Sequence, residues 1–183
     1  EYRRQRQMCI RDSGGVHTLR SIADVDKIRT DMENASHLVI IGGGYIGLEV
    51  ASVARSKEMQ VTILEMEDRI LQRVTHPTMS AFYHELHRAN GVNIKTSSRA
   101  TAFVGDGWVK EVVCADGTSI DADLVIVGVG VVPNVELAAE AGLTCDNGIV
   151  VDERCATSDS IIFAAGDCTN HPNKLLDRRL RLE

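Results

Sequence analysis

The apolar run Leu38-Val39-Ile40-Ile41 leads into Gly42-Gly43-Gly44-Tyr45-Ile46-Gly47, and the helical pattern Gly47 to Ala54 follows at once. A Gly-x-Gly-x-x-Gly between a buried strand and a helix specifies a strand-turn-helix phosphate cradle, whereas the bare pattern elsewhere specifies little. Gly42 permits the tight turn, Gly44 lets backbone approach a pyrophosphate, and Gly47 lets helix pack close on strand. The N–H groups at the helix N-terminus then face the phosphates. This unit constrains the chain to a layered α/β fold and points to a dinucleotide ligand.

The second half of the pattern is an acid at the end of the next strand, about 20 residues on. Gln60-Val61-Thr62-Ile63-Leu64-Glu65 reads as that strand, with Glu65 as its last residue. A carboxylate there accepts hydrogen bonds from a ribose diol and repels a 2′-phosphate. No arginine follows Glu65 immediately, which favours NAD(H) over NADP(H); Arg69 keeps the second possibility open.

The other elements are punctuated by local signals. Ser21-Ile22-Ala23-Asp24 is a capping box, and Ile22, Val25, Ile28 and Met32 follow at helical spacing. Pro77 suits the first turn of a helix running to Ala89, with Met79, Phe82 and Leu86 on one face and a stop at Asn90-Gly91. Val92-Asn93-Ile94 is a third strand. Ala100 to Val104, Trp108 to Ala115 and Thr118 to Ile120 then alternate around Gly105-Asp106-Gly107 and Asp116-Gly117, which predicts a three-stranded meander. The fully apolar strand Leu124 to Val127 follows. The expected architecture over 14–132 is a Rossmann-like three-layer NAD-binding domain. Its sheet is mainly parallel, with an antiparallel β-meander crossover replacing one helix.

Leu124 to Val127 runs into Gly128-Val129-Gly130-Val131-Val132-Pro133-Asn134. Glycines past the C-terminal end of a parallel strand lie where open α/β sheets bind ligands. Close approach to the nicotinamide end of the cofactor is their expected use; a plain turn is the alternative. A helix from about Val135 to Ala141, a turn at Asp146-Asn147-Gly148 and a strand Ile149-Val150-Val151 come next. Thr157 through Asp167 reads as a strand ending in an acid.

Composition narrows the function classes. The net charge of -6, from 26 acids against 20 bases, argues against nucleic acid as the partner. Basic clusters at Arg3, Arg4, Arg6 and Arg11 and at Lys174, Arg178, Arg179 and Arg181 are by default solvated faces. The longest uncharged apolar stretch, Leu124 to Val132, falls far short of the roughly 18 residues of a membrane span. Cysteines at 9, 114, 145, 155 and 168 form no C-x-x-C pair and no metal-ligand spacing, so they read as reduced thiols of a cytoplasmic protein. Cys114 and Cys168 adjoin strands and are expected in or near the core. His84 and His87 are read as surface histidines, so no metal site is expected, and Trp108 as packing. Glu1 to Ser13 has neither a secretory nor a transit pattern and reads as a non-native or disordered tail.

Ile41-Gly42-Gly43-Gly44-Tyr45-Ile46-Gly47-Leu48-Glu49, Gly128 to Asn134, and Thr157-Ser158-Asp159 with Ala164-Ala165-Gly166-Asp167 together resemble the FAD-dependent pyridine nucleotide-disulfide oxidoreductase superfamily. The Gly-Leu-Glu ending of the turn, Arg73-Val74-Thr75 before Pro77, and Phe82 to Arg88 with Gly91-Val92 are most similar to the ferredoxin reductases of oxygenase systems, the putidaredoxin and rhodocoxin reductase type. The resemblance implies hydride transfer from NADH to FAD. Single electrons then pass to a [2Fe-2S] ferredoxin serving a cytochrome P450 or a ring-hydroxylating dioxygenase. It implies that Gly42, Gly44 and Gly47 hold the NAD pyrophosphate, with Gly43 and Ile46 of the same turn also at the cofactor, and Glu65 the adenosine ribose. Tyr45 is implied as a gate near the flavin and Glu49 as a neighbour of the carboxamide, which makes these two the catalytic candidates. Arg73, Gly128, Val129 and Gly130 are implied at the cofactor, and Gly166 and Asp167 at FAD, where Asp167 meets a ribityl hydroxyl. Hydride transfer needs stacking and position rather than an acid-base triad.

Such reductases begin with an FAD-binding Gly-x-Gly-x-x-Gly and end with an interface domain, and neither pattern occurs here. The chain is therefore expected to be an internal fragment, with 133–183 the returning segment of an incomplete FAD-binding α/β domain. Alone, it is expected to bind NADH weakly, hold FAD poorly and show no turnover. The basic residues Arg178, Arg179 and Arg181 are the expected ferredoxin dock, since ferredoxins are acidic. Alternatives are a disulfide or nitrite reductase of the same superfamily, or an apoptosis-inducing-factor-like, NADH-responsive binding flavoprotein.

Overall fold

The computed structural model describes residues 14–181; the expected tail at 1–13, with its arginine cluster and Cys9, lies outside the described residues. The chain divides into two compact units, with the division after Gly130.

The first unit runs β1 (Val16–Thr18), α1 (Ile22–Met32), β2 (His37–Ile41), α2 (Tyr45–Ser56), β3 (Gln60–Leu64), α3 (Pro77–Ala89), β4 (Val92–Lys95), β5 (Ala100–Gly105), β6 (Val109–Cys114), β7 (Ser119–Asp121) and β8 (Leu124–Val127). Five of these strands form one sheet in the order β1-β8-β2-β3-β4, and every neighbouring pair is parallel. Strand periodicity sorts the apolar residues between its two faces. Leu38, Ile40, Ile63, Leu124 and Ile126 face one core with Ile28 and Met32 of α1 and Leu48, Ala51 and Ala54 of α2. Val39, Ile41, Leu64 and Val125 face the other, against Val109, Val112 and Cys114. The meander β5-β6-β7 is thus a separate antiparallel sheet that covers the second face. The meander thus takes the place of a helix layer, as expected, and the main sheet is parallel throughout because the meander packs on its face instead of joining its edge.

Ser21 caps α1 with a complete capping box, its side chain accepting from the Asp24 N–H while the Asp24 carboxylate accepts from the Ser21 N–H. The Ser21 backbone and hydroxyl hold the Asp24 carboxyl below its ordinary range. β1 has no counterpart in the sequence reading. In α3 the apolar residues Met79, Phe82 and Leu86 are exposed, and the helix turns inward through buried Ser80 and half-buried Tyr83. His84 and His87 are half-buried rather than fully at the surface, and burial pushes the His87 imidazole pKa down. Trp108 lies over Gly14 and Gly15 and donates its indole N–H to the Asp123 carbonyl at 2.8 Å. Cys114 is buried and Cys168 half-buried. Among the described residues no helix is long and apolar enough to cross a membrane.

The second unit contains α4 (Glu136–Glu140), β9 (Ile149–Val150), β10 (Thr169–Asn173) and β11 (Arg178–Leu180). β9 and β10 are parallel, β10 and β11 antiparallel. The strand expected from Thr157 to Asp167 is absent. Only an isolated bridge, Ala156 to Phe163, forms there. Thr157 and Asp159 bond their own neighbouring backbone in turns, and Ile161 and Phe163 stay exposed. The segment folds back on itself, Thr157 N–H donating to the Ile162 carbonyl and Ala164 N–H to the Cys155 carbonyl, so its backbone is satisfied by a tight loop instead of an extended ladder.

Candidate functional site

The glycine turn is clamped from below and open above. Gly42 has φ +111, and a β-carbon there would lie 2.4 Å from the Gly128 carbonyl oxygen; one at Gly47 would lie 2.2 Å from the Gly42 carbonyl oxygen. Both glycines are required by the protein's own packing. Gly44 differs: its φ is an ordinary -81, and a β-carbon would meet no protein atom within 4 Å. Nothing inside the protein demands glycine at position 44, so the demand falls on whatever approaches from the open side. Gly44 is the N-cap of α2 and no side chain caps that helix, so its first N–H groups face the same space.

Glu65, one residue beyond β3, reaches back to this turn. Its Oε2 accepts from the Gly43 N–H at 2.7 Å and its Oε1 from the Glu67 N–H at 2.9 Å. The carboxylate is thereby fixed beside the turn with lone pairs left for a diol. Gly128 donates its N–H to the Ile41 carbonyl at 2.8 Å, which seats the Gly128 to Gly130 bend directly against Gly42. Gly130 has φ +97, and its α-carbon is approached by the Arg73 guanidinium. Val129 is exposed. Tyr45, 54% exposed, and Glu49 stand one helical turn apart on the solvent side of α2, with Ile46 exposed beside them.

The structure therefore gathers Gly42, Gly43, Gly44, Tyr45, Ile46, Gly47, Glu49, Glu65, Arg73, Gly128, Val129 and Gly130 in one unit at the C-terminal ends of β2, β3 and β8. Gly166 and Asp167 belong to the second unit, where exposed Asp167 lines a shallow groove with Asp152, Thr169 and His171. The arginines expected as a dock differ from one another. Arg179 donates from Nη2 to the Val151 and Asn170 carbonyls, both at 2.6 Å, and from Nε to the Asn170 Oδ1 at 3.2 Å. Arg181 approaches the Asp167 and Val131 carbonyls at 3.5 Å. Arg178 is exposed. Among the described residues no group of three His, Cys, Asp or Glu side chains is placed to hold a metal.

Sequence reasoning missed the loop that follows Glu65. Leu71 donates its N–H to the Gly43 carbonyl at 2.9 Å, and the buried Ile70 side chain sits so close that a β-carbon at Gly43 would lie 2.7 Å from its Cγ2. Leu71 is buried with φ +54, a conformation that its branched side chain does not advertise in sequence.

A family model described as pyridine nucleotide-disulphide oxidoreductase matches residues 4–180. The chain is 48% identical over 168 residues to putidaredoxin reductase CamA of Pseudomonas putida, covering 90% of this chain and 40% of that protein. Among solved structures, the ferredoxin reductase for the CYP199A2 system from Rhodopseudomonas palustris superposes with a TM-score of 0.89 at 40% identity, over 92% of this chain and 42% of that one. The covalent putidaredoxin reductase-putidaredoxin complex gives a TM-score of 0.88 at 46% identity, over 94% and 43%. The chain spans about two fifths of the length of the proteins it matches.

Proposed function

The chain belongs to the pyridine nucleotide-disulphide oxidoreductase family, and on that premise we propose that it forms the NADH-receiving part of an FAD-dependent ferredoxin reductase. The observation that carries this reading is Gly44: a glycine without a steric or conformational reason of its own, at the open N-terminus of α2, beside a carboxylate already oriented by the Gly43 N–H. Gly42 to Gly47 and the first turn of α2 hold the pyrophosphate. Glu65 binds the adenosine ribose and excludes a 2′-phosphate. Arg73 and Gly128 to Gly130 bound the nicotinamide side, with Tyr45 covering it and Glu49 directed to the carboxamide. FAD, when bound, supplies the two-electron to one-electron conversion; Gly166 and Asp167 are this chain's contribution to holding it. The reductase names among the relatives support a [2Fe-2S] ferredoxin as electron acceptor, delivering to a P450 or dioxygenase. Within the basic cluster, exposed Arg178 is the docking candidate, because Arg179 is bonded inside its own unit. The domain assignment, 14–132 for NAD(H) and 133–183 for part of the FAD domain, and a cytoplasmic location belong to the same proposal.

Titration of the chain with NADH and NADPH, followed by nicotinamide fluorescence, tests it. NADH is expected to bind more tightly. Gly44→Ala is expected to weaken NADH by about tenfold or more while shifting unfolding by no more than about 0.5 kcal/mol. A wild-type chain that binds neither nucleotide refutes the assignment.

A further inference from the structure

Arg69 is the first cation after Glu65 in sequence, the position from which a 2′-phosphate would be met, and its contacts give it another task. Its Nη1 donates to the Thr75 carbonyl at 3.0 Å and to the Ser80 Oγ at 2.6 Å, and its Nη2 to the Gln72 carbonyl at 2.8 Å. Ser80, only 2% exposed, donates its own hydroxyl hydrogen bond to the Ile70 carbonyl at 2.7 Å. One guanidinium and one hydroxyl, bonded to each other, thus tie three carbonyls of the loop, those of Ile70, Gln72 and Thr75, to α3. Between those points lies Leu71, in the left-handed region at φ +54, which a leucine adopts only where its surroundings impose it. The Leu71 carbonyl is bracketed by the N–H groups of Val74 and Thr75 and by the Thr75 hydroxyl. The reward of that strained turn points at the cofactor cradle: the Leu71 N–H meets the Gly43 carbonyl, and Ile70 presses on the Gly43 α-carbon.

We propose that Arg69 and Ser80 act as one staple, positioning residues that set the geometry of the glycine turn through Ile70 and Leu71, and that Arg69 takes no part in recognising a 2′-phosphate. The inference rests on the NAD(H) reading above. It adds that both backbone polar groups of Gly43 are held by the loop after β3: the N–H by Glu65, the carbonyl by Leu71. The turn therefore owes its shape to α3 as well as to its glycines. Swinging the guanidinium outward to a phosphate breaks three hydrogen bonds and leaves the buried Ser80 oxygen without its charged donor, with only the Thr75 hydroxyl at 3.3 Å beside it.

The test compares wild type with Ser80→Ala, Arg69→Met, Arg69→Lys and the Ser80→Ala/Arg69→Met double variant in the full chain. NADH and NADPH dissociation constants and hydrogen exchange at the Leu71 amide in the ligand-free protein are measured. Each single variant is expected to weaken NADH binding about tenfold and to speed Leu71 exchange about tenfold, as for loss of a charge-assisted bond. The double variant is expected to lose little beyond either single one, because one staple is removed twice. The NADPH to NADH ratio is expected to stay within about twofold. Arg69→Lys is expected to behave like Arg69→Met, since the fork and not the charge does the work. Selective loss of NADPH binding in Arg69→Met, with rescue by Arg69→Lys, overturns the proposal in favour of phosphate recognition. Unchanged Leu71 exchange in Ser80→Ala also overturns it, and that readout stands even if the wild type binds no nucleotide, an outcome that instead removes the NAD(H) reading.

Discussion

The two units are held together by different physics. Up to Gly130, apolar side chains fill both faces of the parallel sheet, and Ile40, Ile63, Leu124, Val125 and Ile126 are fully buried. From Val131 onward, large apolar side chains stand in solvent: Leu137 is 83%, Ile161 82% and Leu175 92% exposed. The buried positions there include Thr169 and Asn170. Order comes from directional bonds, the Arg179 contacts above and the Asn170 Nδ2 donation to the Asp146 carbonyl at 2.7 Å. Burial contributes in proportion to area and is spread over many residues, whereas a few hydrogen bonds concentrate the stability of a small unit in a few groups. Hydrophobic truncation is therefore the sensitive probe of the first unit, and polar truncation of the second.

The largest expected effect is in the first core. Ile40→Ala or Ile126→Ala is expected to cost about 2–5 kcal/mol in urea unfolding, and Phe163→Ala in the second unit no more than about 0.5 kcal/mol. Equal costs would erase the contrast. Next, Arg179→Met is expected to destabilise the second unit by about 1.5–3 kcal/mol, read as faster hydrogen exchange around Val151 and Asn170, with the urea transition of the first unit unmoved. Arg178→Met is expected to leave both units unchanged; a comparable loss there would show that the cluster acts collectively. The smallest effect is a pH dependence in the first unit. Burial raises the Asp123 pKa, but the N–H groups of Ser36 and His37 and the His37 ring outweigh it, so the carboxyl titrates below its ordinary range. A depressed folded-state pKa stabilises above the unfolded value of about 4, and that contribution is lost as pH falls through the folded value. The unfolding midpoint is thus expected to drop as pH falls from about 5 through the lowered folded-state value, and Asp123→Asn to flatten the drop. An identical slope in the variant would assign the acid sensitivity elsewhere.

What the sequence made legible was local in origin. The capping box at Ser21, the start at Pro77, the meander turns and the strand-glycine-helix unit each carry their signal within a few residues. β1 escaped because Val16 to Thr18 is three residues long and exists through its pairing with distant β8. The Thr157 to Asp167 strand was expected from apolar content, but apolar content cannot form a ladder without a neighbour. Likewise Met79, Phe82 and Leu86 marked an apolar face, yet the buried side of α3 is the one bearing Ser80, a polar residue that belongs inside because Arg69 and the Ile70 carbonyl meet it there. The glycines and Glu65 were readable as a candidate site; the Arg69 contacts in the loop beside it were not, since neither hydrogen-bond partners nor a left-handed leucine leaves a compositional trace.

The position of β8 carries a consequence for how the chain assembles. It lies between β1 and β2 although it is the last strand of its unit in sequence. Without Leu124 to Val127, β1 has no partner in the sheet and β2 keeps one edge unpaired. Closing such a long loop adds little to the equilibrium cost, because closure entropy grows only logarithmically with length, but it delays the step that covers the edge. A chain cut before Leu124 is therefore expected to leave the Leu38 to Ile41 edge of β2 open to pairing with another chain.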